Sequence, residues 1–225
     1  MVKTTSISAA IWVVLLGVSA LANTAATSNL MVNGNFYDPN GPLYGWHYKY
    51  DLPGESWYFS NHEHVSVGAE PSHPHVLKLW GDYDILFNTG QGTKVDSAPI
   101  PVKPGVRYKF SVSAKSDGPN CRIMIEGYRW LPGIKPHADP ELHELRKCYK
   151  FSQLYFGSKK EGEMGGVGRT WSRASQVLPE SKVSKLARES LDQIKFYVVH
   201  IIAIGTLWGK EGTLCIEDVR VEEVR

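Results

Sequence analysis

The chain has 225 residues, 42% of them hydrophobic and 11% aromatic, with 25 Lys+Arg set against 23 Asp+Glu. So many core formers exclude a disordered protein, and 21 Gly with 13 Pro is too ordinary for a collagen-like or low-complexity one. A near-zero net charge without a Lys/Arg cluster argues against nucleic acid as a partner, and three cysteines are too few for a disulfide scaffold.

Residues 1–22 read as an export signal. Lys3 supplies a positive start, Ala9 to Val18 runs without a charge, and Ala20-Leu21-Ala22 puts small residues where a signal peptidase reads. The apolar run is shorter than the ~20 residues that span a bilayer, so no membrane span is expected after cleavage. A retained N-terminal anchor is the alternative. The expectation is an exported bacterial chain, periplasmic or extracellular, whose residues 23–225 form one domain. Of Cys121, Cys148 and Cys215 at most one internal pair can form. Cys121 with Cys148 is the pairing to test, against three buried thiols acting as small hydrophobes.

Short strands are expected at Val76–Trp80, Ile85–Phe87, Val106–Ala114, Ile123–Tyr128, Lys195–Ile204 and Thr213–Val221, between Gly, Pro, Asn and Asp clusters. The third alternates without error: Val106, Tyr108, Phe110, Val112 and Ala114 on one face, Arg107, Lys109, Ser111 and Ser113 on the other. Many such strands predict a β-sandwich. From Phe196 to Ile204 both alternation classes are apolar, so both faces of that strand must be covered. In the last strand the apolar phase changes between Leu214/Ile216 and Val219/Val221, which a β-bulge at Glu217-Asp218 would reconcile. Helix signals appear only between these strands. Asp139-Pro140-Glu141 opens one with Leu142 and Leu145 at helical spacing, and Val183, Leu186, Ala187, Leu191 and Ile194 form the stripe of a second over 181–192. Gly157 to Gly168 reads as a surface loop, and 129–173 as an insertion in the sandwich.

The order of four segments resembles a known family. Asn29-Leu30-Met31-Val32-Asn33-Gly34-Asn35-Phe36 with Gly45-Trp46, then Val76-Leu77-Lys78-Leu79, then Ile100 to Ser111 with Pro104-Gly105 and Tyr108, then Gly212 to Val219, are similar to the CenC-like carbohydrate-binding modules of families four, nine and twenty-two. The resemblance implies an all-β, galactose-binding-like jelly roll, here with a helical and loop insertion, that binds a polysaccharide or glycan without cleaving it. It also implies a structural calcium, for which Asp38, Glu217 and Asp218 offer hard oxygens. Two positions depart from the family pattern: Tyr37 stands where an acidic residue is usual, and Glu217 where the first Asp of the terminal pair is usual.

Saccharide sites pair aromatic platforms with a few polar groups. The candidate platforms are Trp57, Trp80, Tyr83, Tyr128 and Trp130, with core packing as the competing reading for each. Trp46 is expected to be buried. His62-Glu63-His64 and His73-Pro74-His75, with His47, invite a metal reading, yet no spacing matches a zinc pattern. His200, inside the most apolar strand, is expected to be a hydrogen-bonded core residue. No G-x-S-x-G nucleophile or phosphate loop is present, and no catalytic residue is assigned. The alternatives are a small jelly-roll glycoside hydrolase or polysaccharide lyase, for which Glu126 with Asp82 or Glu141 would be the acids, and an adhesion module that binds protein.

Overall fold

The computed structural model describes residues 28–49, 62–83, 85–86, 92–154, 167–180, 191–206 and 211–224. Eleven strands are present among them: β1 (Trp46–His47), β2 (Val65–Glu70), β3 (His73–Gly81), β4 (Thr93–Ser97), β5 (Ile100–Pro101), β6 (Arg107–Ser116), β7 (Pro119–Trp130), β8 (Leu145–Leu154), β9 (Ser172–Leu178), β10 (Phe196–Thr206) and β11 (Gly212–Val224). They form two antiparallel sheets. Sheet A runs β1-β4-β10-β7-β8, with β5 also paired to β10, and sheet B runs β2-β3-β11-β6-β9. The expected jelly-roll sandwich is what the chain forms.

The alternation in β6 places Tyr108, Phe110, Val112 and Ala114 between the sheets, against Tyr197, Val199, Ile201 and Ala203 of β10 and Leu214, Ile216 and Val221 of β11. Tyr197 meets Phe110 edge-on at 5.2 Å between ring centres, the arrangement that the ring quadrupole favours. One polar bond also crosses the interior, from the Thr93 hydroxyl to the Trp80 carbonyl at 2.6 Å.

The bulge expected in the last strand is present. Register on β6 shifts between Glu217 and Arg220, and Asp218 has φ 51°, in the left-handed region. Such a break leaves backbone groups without a ladder partner, and the N-terminal segment supplies them. The Asn29 side chain donates to Val219 O at 3.1 Å and accepts from Val221 N at 2.9 Å, while Val219 N reaches Gly34 O at 2.8 Å. A Cβ on Gly34 would stand 2.1 Å from Val219 O, so this contact needs a glycine.

Three expectations differ from the structure. The helix opened by Asp139-Pro140 is a single 3₁₀ turn, Leu142–Glu144, followed directly by β8. Leu142 and Leu145 share a face there because they join a cluster with Tyr128, Phe196 and Val198, and strand pairing with β7 outcompetes the weak helical spacing. Since β8 belongs to sheet A, the segment 129–173 is in good part built into the sandwich. Ile85 and Leu86 lie in a helical turn instead of a strand, with Ile85 N bonded to the Asp82 carboxylate at 2.7 Å. The signal segment, most of the 181–192 helix and most of the 157–168 loop lie outside the described residues.

Gly34→Ala is expected to lower stability by about 3 kcal/mol in urea denaturation, because Val219 and the bulge must move to admit the methyl group.

Candidate binding cleft on sheet A

Even-numbered residues of β10 and β7 point away from the sandwich interior. This outer face carries an apolar cluster at one end, Tyr128, Leu145, Phe196 and Val198 with Leu142 and Trp130 packed on it, which covers part of the second face of β10. The two-sided apolar pattern of that strand therefore has its explanation.

Beside the cluster lies a buried ionic network. Register puts Asp96 of β4, His200 of β10 and Met124 of β7 in one row, with Glu126 one step along. Asp96 Oδ1 is 2.5 Å from His200 Nδ1, and Glu126 Oε2 is 3.2 Å from His200 Nε2. Lys94 Nζ sits 3.0 Å from Asp96 Oδ2, Lys147 Nζ donates to Glu126 Oε1 at 2.9 Å, and the Tyr128 hydroxyl donates to Glu126 Oε2 at 2.8 Å. Asp96, His200 and Glu126 are only 1%, 4% and 6% exposed. Buried charges are costly unless each is paired, and here each is.

The charges respond to one another. Burial opposes ionisation of Glu126, but the bonds from His200 and Lys147 outweigh it and hold its pKa at about 2. For Asp96 burial likewise pushes up, and His200 and Lys94 more than reverse it, leaving the carboxyl below its usual range. Burial pushes the His200 imidazole down, yet Asp96 and Glu126 raise it above its ordinary value. The arrangement is an imidazole clasped between two carboxylates that favour its protonated form.

The network opens to one side. A cleft of about 360 Å³ is lined by Gly45, Trp46 and His47 of the β1 region, Asp96 to Pro99 at the end of β4, and Glu141, Leu142 and His143 of the 3₁₀ turn. Asp96 is thus both a member of the network and part of the cleft wall. His47 lies opposite Asp96 in the β1–β4 register, and at the rim Glu141 and His143 are 3.2 Å apart. Polar groups meet Ala98, Pro99 and Leu142 around a concave space, the makeup of a small-ligand site.

The candidate platforms are distributed over both sheets. Trp130 is half-buried on the outer face of sheet A, tilted against His137 and edge-on to Phe196. Tyr128 is 8% exposed and presents its hydroxyl to Glu126. Trp80 and Tyr83 are 40% and 56% exposed, Trp80 lying in β3 of sheet B and Tyr83 two residues beyond it, so they share no face with Trp130. Trp57 lies outside the described residues. Trp46 is buried, as expected, with its indole nitrogen donating to Asn33 O.

Asp38, Glu217 and Asp218 do not fit a shared calcium. The Asp218 oxygens take Arg173 and Arg220, both at 2.5 Å, Glu217 takes His73 at 2.7 Å, and Asp38 holds the Asn40 backbone at 2.9 Å. The histidine pairs also go separate ways: His64 lies against Trp80, His73 against Trp171 and His75 against Tyr37. Among the described residues no group of three or more His, Cys, Asp or Glu could hold a metal. Cys121, Cys148 and Cys215 are free thiols.

Sequence reasoning placed His200 correctly as a hydrogen-bonded core residue and singled out His47 only as a metal candidate, but missed Asp96 and Lys94. The available signal was a lone acid in Val95-Asp96-Ser97 and a lone imidazole in Val199-His200-Ile201. A charge enclosed in a buried strand demands a partner, and two such strands supply one another.

No protein-family model matches the chain, and no curated protein does. Similar solved structures include the N-terminal cellulose-binding domain of the Cellulomonas fimi β-1,4-glucanase C, at 12% identity and TM-score 0.45, covering 87% of this chain and 97% of that one. The CBM22-1 xylan-binding domain of Paenibacillus barcinonensis Xyn10C is 12% identical, with TM-score 0.47 and coverage of 89% and 97%. A Fischerella sp. TAU cyclase in complex with 4-(1H-indol-3-yl)butan-2-one is 13% identical, with TM-score 0.46 and coverage of 86% and 96%. The likeness to all three is one of fold.

The network gives stability a defined pH window. Glu126 favours the folded state fully above its unfolded pKa of 4.5 and loses that contribution as pH falls towards about 2, with Asp96 acting in the same sense. His200 contributes fully below 6.5 and loses its contribution as pH rises through its raised folded value. Urea midpoints are therefore expected to plateau between about 4.5 and 6.5, and His200→Gln is expected to remove the decline on the alkaline side.

Proposed function

We propose that the chain binds a saccharide in the cleft on the outer face of sheet A and does not cleave it. The observation that carries this reading is the cleft itself, a concave space of about 360 Å³ that brings His47, Glu141 and His143 together with Leu142 and Pro99. The polar groups of His47, Glu141 and His143 suit sugar hydroxyls, and Leu142 with Pro99 suits the apolar face of a ring. Trp130 on the same sheet supports extension of the ligand beyond the cleft.

Chemistry supports binding over cleavage. A glycosidase needs one protonated carboxylic acid opposite a second carboxylate, which requires a raised pKa. Asp96 and Glu126 are both lowered, and they stand on the two sides of one imidazole with no space for a glycosidic bond between them.

Affinity electrophoresis and calorimetry against a panel of soluble glucans, xylans, mannans and galactans test the proposal. Retention by at least one is expected, with a roughly tenfold loss in His47→Ala/His143→Ala and little change in Trp80→Ala on sheet B, in keeping with about 1.4 kcal/mol per decade. No reducing ends or unsaturated products are expected on the same panel. Lack of retention by every glycan, or retention lost in Trp80→Ala but not in the cleft variant, overturns the reading.

A further inference from the structure

At the end of the sandwich where β6 and β10 begin and β9 finishes, a second cavity of about 360 Å³ reaches between the two sheets. It lies on the inner side of sheet A, whereas the cleft lies on the outer face. Its apolar walls are Val102 and Val106 of the β5–β6 connection, Tyr108 of β6, Leu191 and Ile194 ahead of β10, and Tyr197 of β10. Backbone bonds hold these walls in place, Val102 N donating to Lys195 O at 2.9 Å and Ile194 N to Leu191 O at 3.1 Å. A volume of this size falls in the range of small-molecule sites, ~300–1,000 Å³.

Two tyrosines give this apolar space its polar character. Tyr197 is 3% exposed, its ring is held edge-on by Tyr108 at 6.2 Å and Phe110 at 5.2 Å, and its hydroxyl makes no hydrogen bond among the described residues. The Tyr108 hydroxyl accepts Lys103 N at 2.8 Å, which leaves its own proton to donate. Burial pushes the Tyr197 phenol well above its ordinary range, so it stands in the wall as a neutral donor. Buried polar groups in folded proteins are bonded as a rule, and a hydroxyl left over beside a cavity marks where a further atom belongs. Water settles in a cavity only where it finds ~2–4 polar partners, and apart from the two phenols the inner wall is aliphatic. The exposed rim carries Lys103 and Arg107 with Glu180 and Asp192, two cations and two carboxylates, so the entrance selects no charge.

We propose that this cavity binds an uncharged molecule with an apolar ring body and one carbonyl oxygen, the ring packed against Val102, Val106, Leu191 and Ile194 and the oxygen on the Tyr197 hydroxyl. Both phenols offer protons, so an acceptor-only group leaves nothing unpaired, whereas a ligand hydroxyl would bring a further donor into a wall with few acceptors. A charged group would lose its hydration against aliphatic walls that hold no counter-ion. The cavity shares no residue with the cleft on sheet A, and the proposal does not rest on the saccharide reading.

Equilibrium dialysis of the full chain against 2-acetylnaphthalene, with 2-ethylnaphthalene as the same body lacking the oxygen, tests the proposal. Saturable binding of both is expected in the wild type. Tyr197→Phe keeps the ring against Phe110 and gives up no hydrogen bond within the protein, so the variant is expected to fold. It is expected to weaken 2-acetylnaphthalene at least fivefold and 2-ethylnaphthalene less than twofold. The cleft variant His47→Ala/His143→Ala is expected to bind both compounds as the wild type does. The proposal is overturned by a lack of saturable binding in the wild type, by equal weakening of the two compounds or none in Tyr197→Phe, or by loss of both in the cleft variant, which would place them on the outer face. Glycan retention by Tyr197→Phe reports on the cleft alone, so the two readings fail separately.

Discussion

The imidazole of His200, held between Asp96 and Glu126, is the constraint around which sheet A is organised. It joins three neighbouring strands, β4, β10 and β7, through side chains on the sheet's outer face, where the register already pairs their backbones. Removing one member strips a buried neighbour of one of its charged partners, which costs more than never having placed the charge there. The network therefore specifies register more firmly than apolar pairing does: a slip of one residue would turn His200 into the sandwich core and Val199 out of it. The same clasp leaves Asp96 with a single orientation at the cleft wall.

The two outer faces are built on opposite plans. On sheet A Asp96, His200 and Glu126 are buried, paired with one another and bordered by a cluster of aromatic and aliphatic side chains. On sheet B the charges lie half-exposed in ion pairs, such as Lys78 and Lys115 on Glu70, Arg173 and Arg220 on Asp218, and His73 on Glu217. Exposed pairs of that kind add little stability each, and salt screens them. The core is held by Tyr108, Phe110, Ile201, Leu214 and their neighbours, so sheet B can carry a polar outer surface without loss of fold.

Much of this architecture was legible in period-2 patterns. The alternation of Val106 to Ala114 marked β6, and the phase change between Ile216 and Val219 marked the bulge. What escaped was set by tertiary context. Leu142 and Leu145 have helical spacing, but a partner strand and a waiting apolar cluster decided their conformation. Asp82 looked like a candidate acid and instead closes the turn at Ile85. The cleft joins residues about fifty and a hundred positions apart, His47, Asp96 and His143, and no local pattern relates them. The aromatic residues were easier to find than to place, because the assignment to one sheet or the other depends on strand order, which a single sequence does not display.

The junction at the β11 bulge also has a consequence for how the chain reaches its fold. β11 is the last described strand, lies between β3 and β6, and receives Asn29, Leu30 and Gly34 from the first described segment. Sheet B therefore lacks its central strand until β11 has been made, and Asn29, Leu30 and Gly34 wait about 190 residues for their partners. Such distant pairings demand loop closure before they return any stabilisation, which slows folding. In a chain emerging in order, sheet B is thus kept open until β11 arrives, a timing set by topology alone.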